Sequence, residues 1–230
     1  MKRYKQFLNW IHVLALFSAI FVAERIIHAI EEIALPWYAP IAVIGISVLL
    51  VFHVTEFVAT GMFERFSWLR RFVLADEWIE GVWFDFVSDT DRFALVIIHQ
   101  TEGEPAITSE LFDEKARVRA TSESFIVSVD GRTIRAIFRS PQFEPNRPPT
   151  ELIGFTTYVF SGPPHHPPSY YNGYFADLSA STKKHQLRGF RIEDPKQIEK
   201  LMHHHNKQAA VLELISQYRT SFNSGAQVKS

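Results

Sequence analysis

Residues 7–23 read FLNWIHVLALFSAIFVA and residues 33–54 read IALPWYAPIAVIGISVLLVFHV, and neither stretch contains Asp, Glu, Lys or Arg. A bilayer core is crossed by about 20 mostly apolar residues in helical form, with a range of roughly 17–25. The first stretch is at the short end of that range and the second is comfortable. Together they predict a two-helix transmembrane hairpin over residues 1–63. Two other readings compete. Lys2, Arg3 and Lys5 give the first stretch the basic front of a signal peptide. A signal peptide has a shorter apolar region and a small-residue cleavage site. Here Glu24 and Arg25 follow Ala23, and IIHAIEEIA leads into the second stretch. A buried soluble hairpin is the other reading, but residues 37–54 show no polar face.

Lys and Arg near the span ends set the expected orientation. Lys2, Arg3 and Lys5 precede the first span, and Arg65, Arg70 and Arg71 follow the second. The connection carries Arg25 against Glu24, Glu31 and Glu32. Both termini are therefore expected in the cytoplasm, with the chain in the inner (cell) membrane. Trp10, Trp37 and Tyr38 stand where interfacial aromatics belong, Trp68 fits the inner surface, and Pro36 and Pro40 flank the start of the second span. Residues 64–75 read as a basic juxtamembrane linker.

The net charge of −1 provides no strong basic field for a nucleic-acid polymer. The absence of cysteine excludes disulfides, thiolate metal sites and cysteine nucleophiles, and it suits a cytoplasmic domain. Residues 76–193 read as an antiparallel β-barrel. Candidate strands are EWIEGVWFDFVS (77–88), RFALVIIHQ (92–100), SFIVSVDGRTIRAIFRS (124–140, a hairpin), ELIGFTTYVFS (151–161), YYNGYFADLSAS (170–181) and HQLRGFRI (185–192). KARVRA (115–120) adds a short one. Seven or eight short strands with no βαβ pattern fit a barrel or a sandwich. Residues 194–222 follow as an amphipathic helix opened by Asp194-Pro195, a cap followed by proline at the first helical position. Residues 223–230 read as a flexible tail.

Asp130-Gly131 between two β-prone runs is a strong hairpin signal. Taken as the two loop residues, they set Val129 opposite Arg132, Val127 opposite Ile134 and Phe125 opposite Ala136 on an inner, mostly apolar face. The other face carries Ser128, Ile126 and Ser124 opposite Thr133, Arg135 and Ile137, with Arg139 beyond. An ordinary barrel puts that second face in water. The alternative is a cavity lined partly by Arg135, Arg139, Ser124 and Thr133, where polar groups orient a ligand.

His203, His204 and His205 are consecutive, so on a helix they point about 100° apart and do not converge on one metal. His165-His166 lies in the stiff loop GPPHHPP, where Asp177 is the carboxylate that would complete a weak metal site. HExxH, GxSxG and GxxxxGK[ST] are all absent. No metal, cofactor or enzymatic activity is expected.

Gly81-Val82-Trp83 opens the first barrel strand, and YYNGYFAD (170–177) and RGFRI (188–192) close it. The glycine-any-tryptophan opening is similar to the first strand of lipocalin-like barrels. The whole arrangement resembles the SMODS-associating two-transmembrane, β-strand-rich effectors of bacterial CBASS antiphage defence. The resemblance covers most of the chain as an architecture and rests on short motifs. It implies a cytoplasmic barrel that binds a cyclic di- or trinucleotide, self-association on binding, and disruption of the lipid bilayer by the hairpin. None of the family's ligand-binding residues is carried over. Phosphates call for cations, and bases call for aromatic planes. Arg135, Arg139, Arg188 and Arg191 are the candidate cations, Tyr170 and Tyr174 are the candidate platforms, and Thr133 is a further candidate contact. Trp83 reads better as a structural plug at the barrel base. A lipid-binding barrel, a membrane-bound hydrolase using His165, His166 or Asp177, and a structural scaffold with a filled barrel are the rival expectations.

Overall fold

The apolar stretches lie in two long helices, α1 (Lys2–Glu31) and α2 (Tyr38–Arg65). Both are long and apolar enough to cross a membrane. The computed structural model describes residues 2–31, 38–88, 90–100, 105–143, 150–163, 166–178 and 183–223. Pro36, Trp37, His165 and the tail 224–230 lie outside them. Ala15, Ala19 and Ala23 are buried at a spacing of four on one face of α1, where small side chains let a neighbouring helix approach. Tyr4 and Phe7 meet Phe63 of α2, and His12 stacks on Phe52 with its Nε2 3.6 Å from Glu56.

Residues expected as a linker include a third helix, α3 (Ser67–Leu74). Its Arg70 is buried and donates to the carbonyls of Phe63, at 3.0 Å, and Glu64. These belong to the last turn of α2, where carbonyls lack helical partners and a cation is favoured. Trp68 and Phe72 are exposed. Residues 1–74 and 75–230 form separate compact units.

The second unit is a closed antiparallel barrel of eight strands. They are β1 (Gly81–Val87), β2 (Arg92–His99), β3 (Ala106–Phe112), β4 (Val118–Asp130), β5 (Thr133–Gln142), β6 (Thr150–Ser161), β7 (Tyr170–Asp177) and β8 (Lys184–Ile192). Each pairs with its neighbour in sequence, and β1 pairs with β8 from Val82↔Ile192 to Val87↔Leu187. Closure leaves no free edge. Alternation along β1 sends Trp83, Asp85 and Val87 inward and Val82, Phe84 and Phe86 outward. The buried outer residues Phe84, Phe93, Leu95 and Ile192 are covered by the C-terminal helices, with Leu201, Val211, Leu214 and Ile215 in the same core.

Three local expectations change. The third strand is Ala106–Phe112, and KARVRA instead leads into β4. The hairpin loop is Gly131-Arg132, so Asp130 pairs with Thr133 and Val127 with Ala136. Gly131 alone in this loop has positive φ, +56°, as a primed turn with glycine at its first central position requires. The register slides by two residues, and Val127, Val129, Ile134 and Ala136 stay on the inner face. A bulge at Phe125 then reverses the alternation. Phe125 and Ile126 both face out, and Ser124 turns in. The C-terminal helix is two: α4 (Pro195–Met202) and α5 (His204–Asn223). His203 between them has extended backbone, and its carbonyl accepts from Asn206 and Lys207 to start α5.

Candidate ligand cavity

The barrel is filled at one end and hollow at the other. At the filled end Trp83 is fully buried and its Nε1–H donates to the Ile79 carbonyl at 3.0 Å. Phe160 meets it edge-on at 5.0 Å, and Tyr171 lies at 5.5 Å. The Arg191 guanidinium lies 3.9 Å from the Trp78 ring centre and 5.4 Å from that of Trp83. It donates to the carbonyls of Trp78 and Pro168 at 3.4 Å each, and to that of Glu80. Gln100 ties the approach to β1 by accepting from the Ile79 amide and donating to the Glu77 carbonyl.

Towards the other end the inward residues become small: Ala94, Ser109, Ala120, Ser122, Ala136 and Ser140. Small side chains facing one another across a barrel leave space, here a cavity of about 280 Å³. Leu111, Thr156, Phe175 and Leu187 also line it, and Arg92, Asp177 and His185 stand on strand ends at its mouth. Several wall hydroxyls are already engaged. Ser109 and Ser122 share a 2.6 Å bond, Ser124 accepts from the Ile107 amide, and Ser140 donates to the Thr121 carbonyl.

A carboxylate lies at the floor, between hollow and plug. Asp85 is 2% exposed and lines the cavity. Its position follows from a row of three strands. Asp85 of β1 pairs with Gly189 of β8, which pairs with Tyr171 of β7. Gly189 has no side chain, and a Cβ there would stand 2.3 Å from the Tyr171 ring. That vacancy lets the ring cross β8 and its hydroxyl donate to Asp85 Oδ2 at 2.7 Å. Tyr158 packs edge-on against Tyr171 at 4.9 Å. Burial pushes the Asp85 carboxyl up to about 7, against the lowering hydrogen bonds from Tyr171 and the Ala94 backbone. Burial, with the nearby Asp85 charge, raises both Tyr158 and Tyr171 above the ordinary tyrosine range, so both remain protonated.

Ser124 and Asp177 line this cavity, but the seven candidate ligand contacts picked from sequence do not. Thr133, Arg135 and Arg139 are on the outer face of β5, and Arg139 pairs with Glu151 at 2.8 Å in solvent. Arg188 is exposed on the outside of β8. Tyr170 and Tyr174 point outward from β7, the latter under the Lys184 ammonium at 4.8 Å. Arg191 alone among the seven points inward, and it seals the filled end. Trp83 is the plug its motif suggested. His166 precedes β7 and Asp177 ends it, so the strand separates them by roughly 20 Å. Among the described residues no group of three or more His, Cys, Asp or Glu side chains is placed to hold a metal. The residue sequence reasoning passed over is Asp85. Its signal was a single carboxylate inside GVWFDFV, two positions from Trp83 and therefore on the same face.

No family model, curated protein or solved structure matches this chain.

Proposed function

We propose that this protein is a membrane-anchored receptor and effector of antiphage defence. In this reading the hollow of the barrel binds a cyclic di- or trinucleotide, liganded copies associate, and the apolar hairpin turns association into permeability of the inner membrane. The observation that carries it is an unfilled, polar-lined hollow in a barrel that shares its chain with two helices apolar enough to cross a bilayer. The resemblance to the two-transmembrane, β-strand-rich effectors adds the ligand class and the outcome. The cavity is just below the roughly 300–1,000 Å³ usual for small-molecule sites. It suits one base with its ribose, and the remainder of a cyclic nucleotide lies at the mouth beside Arg92.

The rival readings draw less support. An acyl chain gains nothing from a buried carboxylate and a hydroxylated wall. A scaffold has no use for a hollow, because filling one stabilises a core. A hydrolase built on His166 and Asp177 needs groups that β7 holds apart. Coupling requires that the nucleotide bind the associated form more tightly than the separate one.

The test uses the full chain. Calorimetric titration of detergent-solubilised protein with a panel of cyclic di- and trinucleotides is expected to give a Kd below about 100 µM for at least one member. The same ligand is expected to release dye from vesicles carrying the protein. No binding across the panel would refute the receptor reading. Binding without release would leave a receptor whose hairpin is only an anchor.

A further inference from the structure

Asp85 has one oxygen committed and one open. Oδ2 takes the Tyr171 hydroxyl, and Oδ1 is buried with no hydrogen-bond partner among the described residues. A buried acceptor left without a donor is destabilising, and more so when it is charged. The nearby wall does not supply the missing donor. Ser140 and Thr156 donate to the carbonyls of Thr121 and Tyr174, and neither the other wall hydroxyls nor the Ala94 backbone makes a bond to Oδ1. Among the described residues no lysine lines the cavity, and Arg92, the one arginine that does, is exposed at the mouth. The group that completes Oδ1 therefore arrives with the ligand.

Chemistry then limits what that group is. Above about pH 7 Asp85 is a carboxylate, which only accepts, so it wants N–H or O–H. A phosphate at this depth would bring like charge against Asp85, so the anionic part of a ligand remains at the mouth and a base goes in. The four common bases differ in what they would turn towards a carboxylate. Adenine and cytosine set a ring-nitrogen acceptor beside their amino group, and uracil flanks its single N–H with two carbonyls. Guanine alone presents two adjacent donors, N1–H and the N2 amine.

Resting on the receptor reading above, we propose that Asp85 at the cavity floor is a guanine-recognition site, so that the barrel selects cyclic nucleotides with a guanine base inserted and the phosphates held outside. Oδ1 accepts from the N1/N2 edge, and Tyr171 fixes the carboxylate by holding Oδ2.

The experiment is a calorimetric comparison on the full chain in detergent at pH 8, where Asp85 is ionised, using cyclic di-GMP, cyclic di-IMP and cyclic di-AMP. Hypoxanthine keeps N1–H and lacks the N2 amine. Cyclic di-GMP is expected to bind tightest and cyclic di-AMP roughly 10- to 100-fold more weakly, with cyclic di-IMP between them. Asp85→Asn is expected to abolish the guanine preference, with its thermal midpoint recorded to show that it folds. Should that variant fail to fold, the wild-type order of the three ligands still decides. Equal affinities for all three, or an unchanged preference in a folded Asp85→Asn, would overturn guanine recognition and leave the receptor reading standing. No binding by these three or by any other cyclic nucleotide would overturn both.

Discussion

Asp85 makes stability depend on pH in a particular direction. The folded protein holds the carboxyl proton up to about 7, whereas an unfolded chain releases it near pH 4. The folded state therefore binds the extra proton between these values. The stabilising contribution is fully present below about pH 4 and is lost as pH rises towards 7, an amount on the order of 4 kcal/mol. Urea unfolding of residues 75–230 at pH 5 and pH 8 is expected to show lower stability at pH 8. Asp85→Asn is expected to flatten that difference and to be the more stable of the two at pH 8. A second prediction concerns the position that lets Tyr171 reach Asp85. Gly189→Ala places a methyl into the Tyr171 ring and is expected to cost about 1–3 kcal/mol by the same assay. Trp83→Ala, at the plug, is expected to cost about 3–5 kcal/mol. At this scale the sequence was partly legible. Trp83 could be read as a plug because a large ring on an in-facing position has few other uses. The arginines were misleading because charge suggests a ligand wherever it occurs, and only the position of each strand in the closed ring shows that Arg135, Arg139 and Arg188 face water.

The elements were legible where one face was apolar and illegible where neither was. Ala106–Phe112, AITSELF, was passed over because Ile107, Ser109 and Leu111 line a partly polar hollow. Its outer Glu110 bonds Lys207 of α5 at 2.7 Å and 2.8 Å. A strand that faces a cavity on one side and an ion pair on the other loses the alternation that identifies strands. The hairpin slid because Asp-Gly fits more than one primed turn, and only the positive φ at Gly131 with Arg132 beside it settles which residues make the loop. The C-terminal helices show how burial and charge divide the work. Leu214 is 1% exposed in the core shared with β1 and β2. Leu214→Ala is expected to cost about 2–5 kcal/mol, and Lys207→Ala, which removes a partly exposed pair, about 1 kcal/mol. Both are measured by chemical denaturation, and a larger effect from Lys207 would mean that the ion pair, and not the apolar seam, seats α5.

For the whole molecule, the division at residue 75 predicts independence. Residues 75–230 keep the closed ring, both helices and their shared core. They are expected to express as a soluble, strand-rich, monomeric protein by circular dichroism and light scattering. Insolubility of this piece would show that the barrel depends on the apolar helices. The charge pattern of the flanks predicts that a reporter fused after Ser230 is active only as a cytoplasmic reporter. Periplasmic activity would separate the barrel from any cytoplasmic signal. The hairpin and the barrel as architectures were both readable, because twenty uncharged residues and repeated short β-prone runs are strong patterns. The location of the hollow was not, because it is set by which small residues meet across eight strands.

The pairing of Val82 with Ile192 has a consequence for biogenesis. The first strand finds its second partner only after the last strand has been synthesised, so closure is a long-range event, and such events slow folding. During translation the apolar helices emerge well before β8 exists. The nascent barrel is an open sheet with two unpaired edges for that interval, a form prone to off-pathway pairing. A ribosome that delivers the first two helices to the bilayer early would hold each unfinished barrel apart from other copies. The order of segments along the chain thus gives the slow step a sheltered setting.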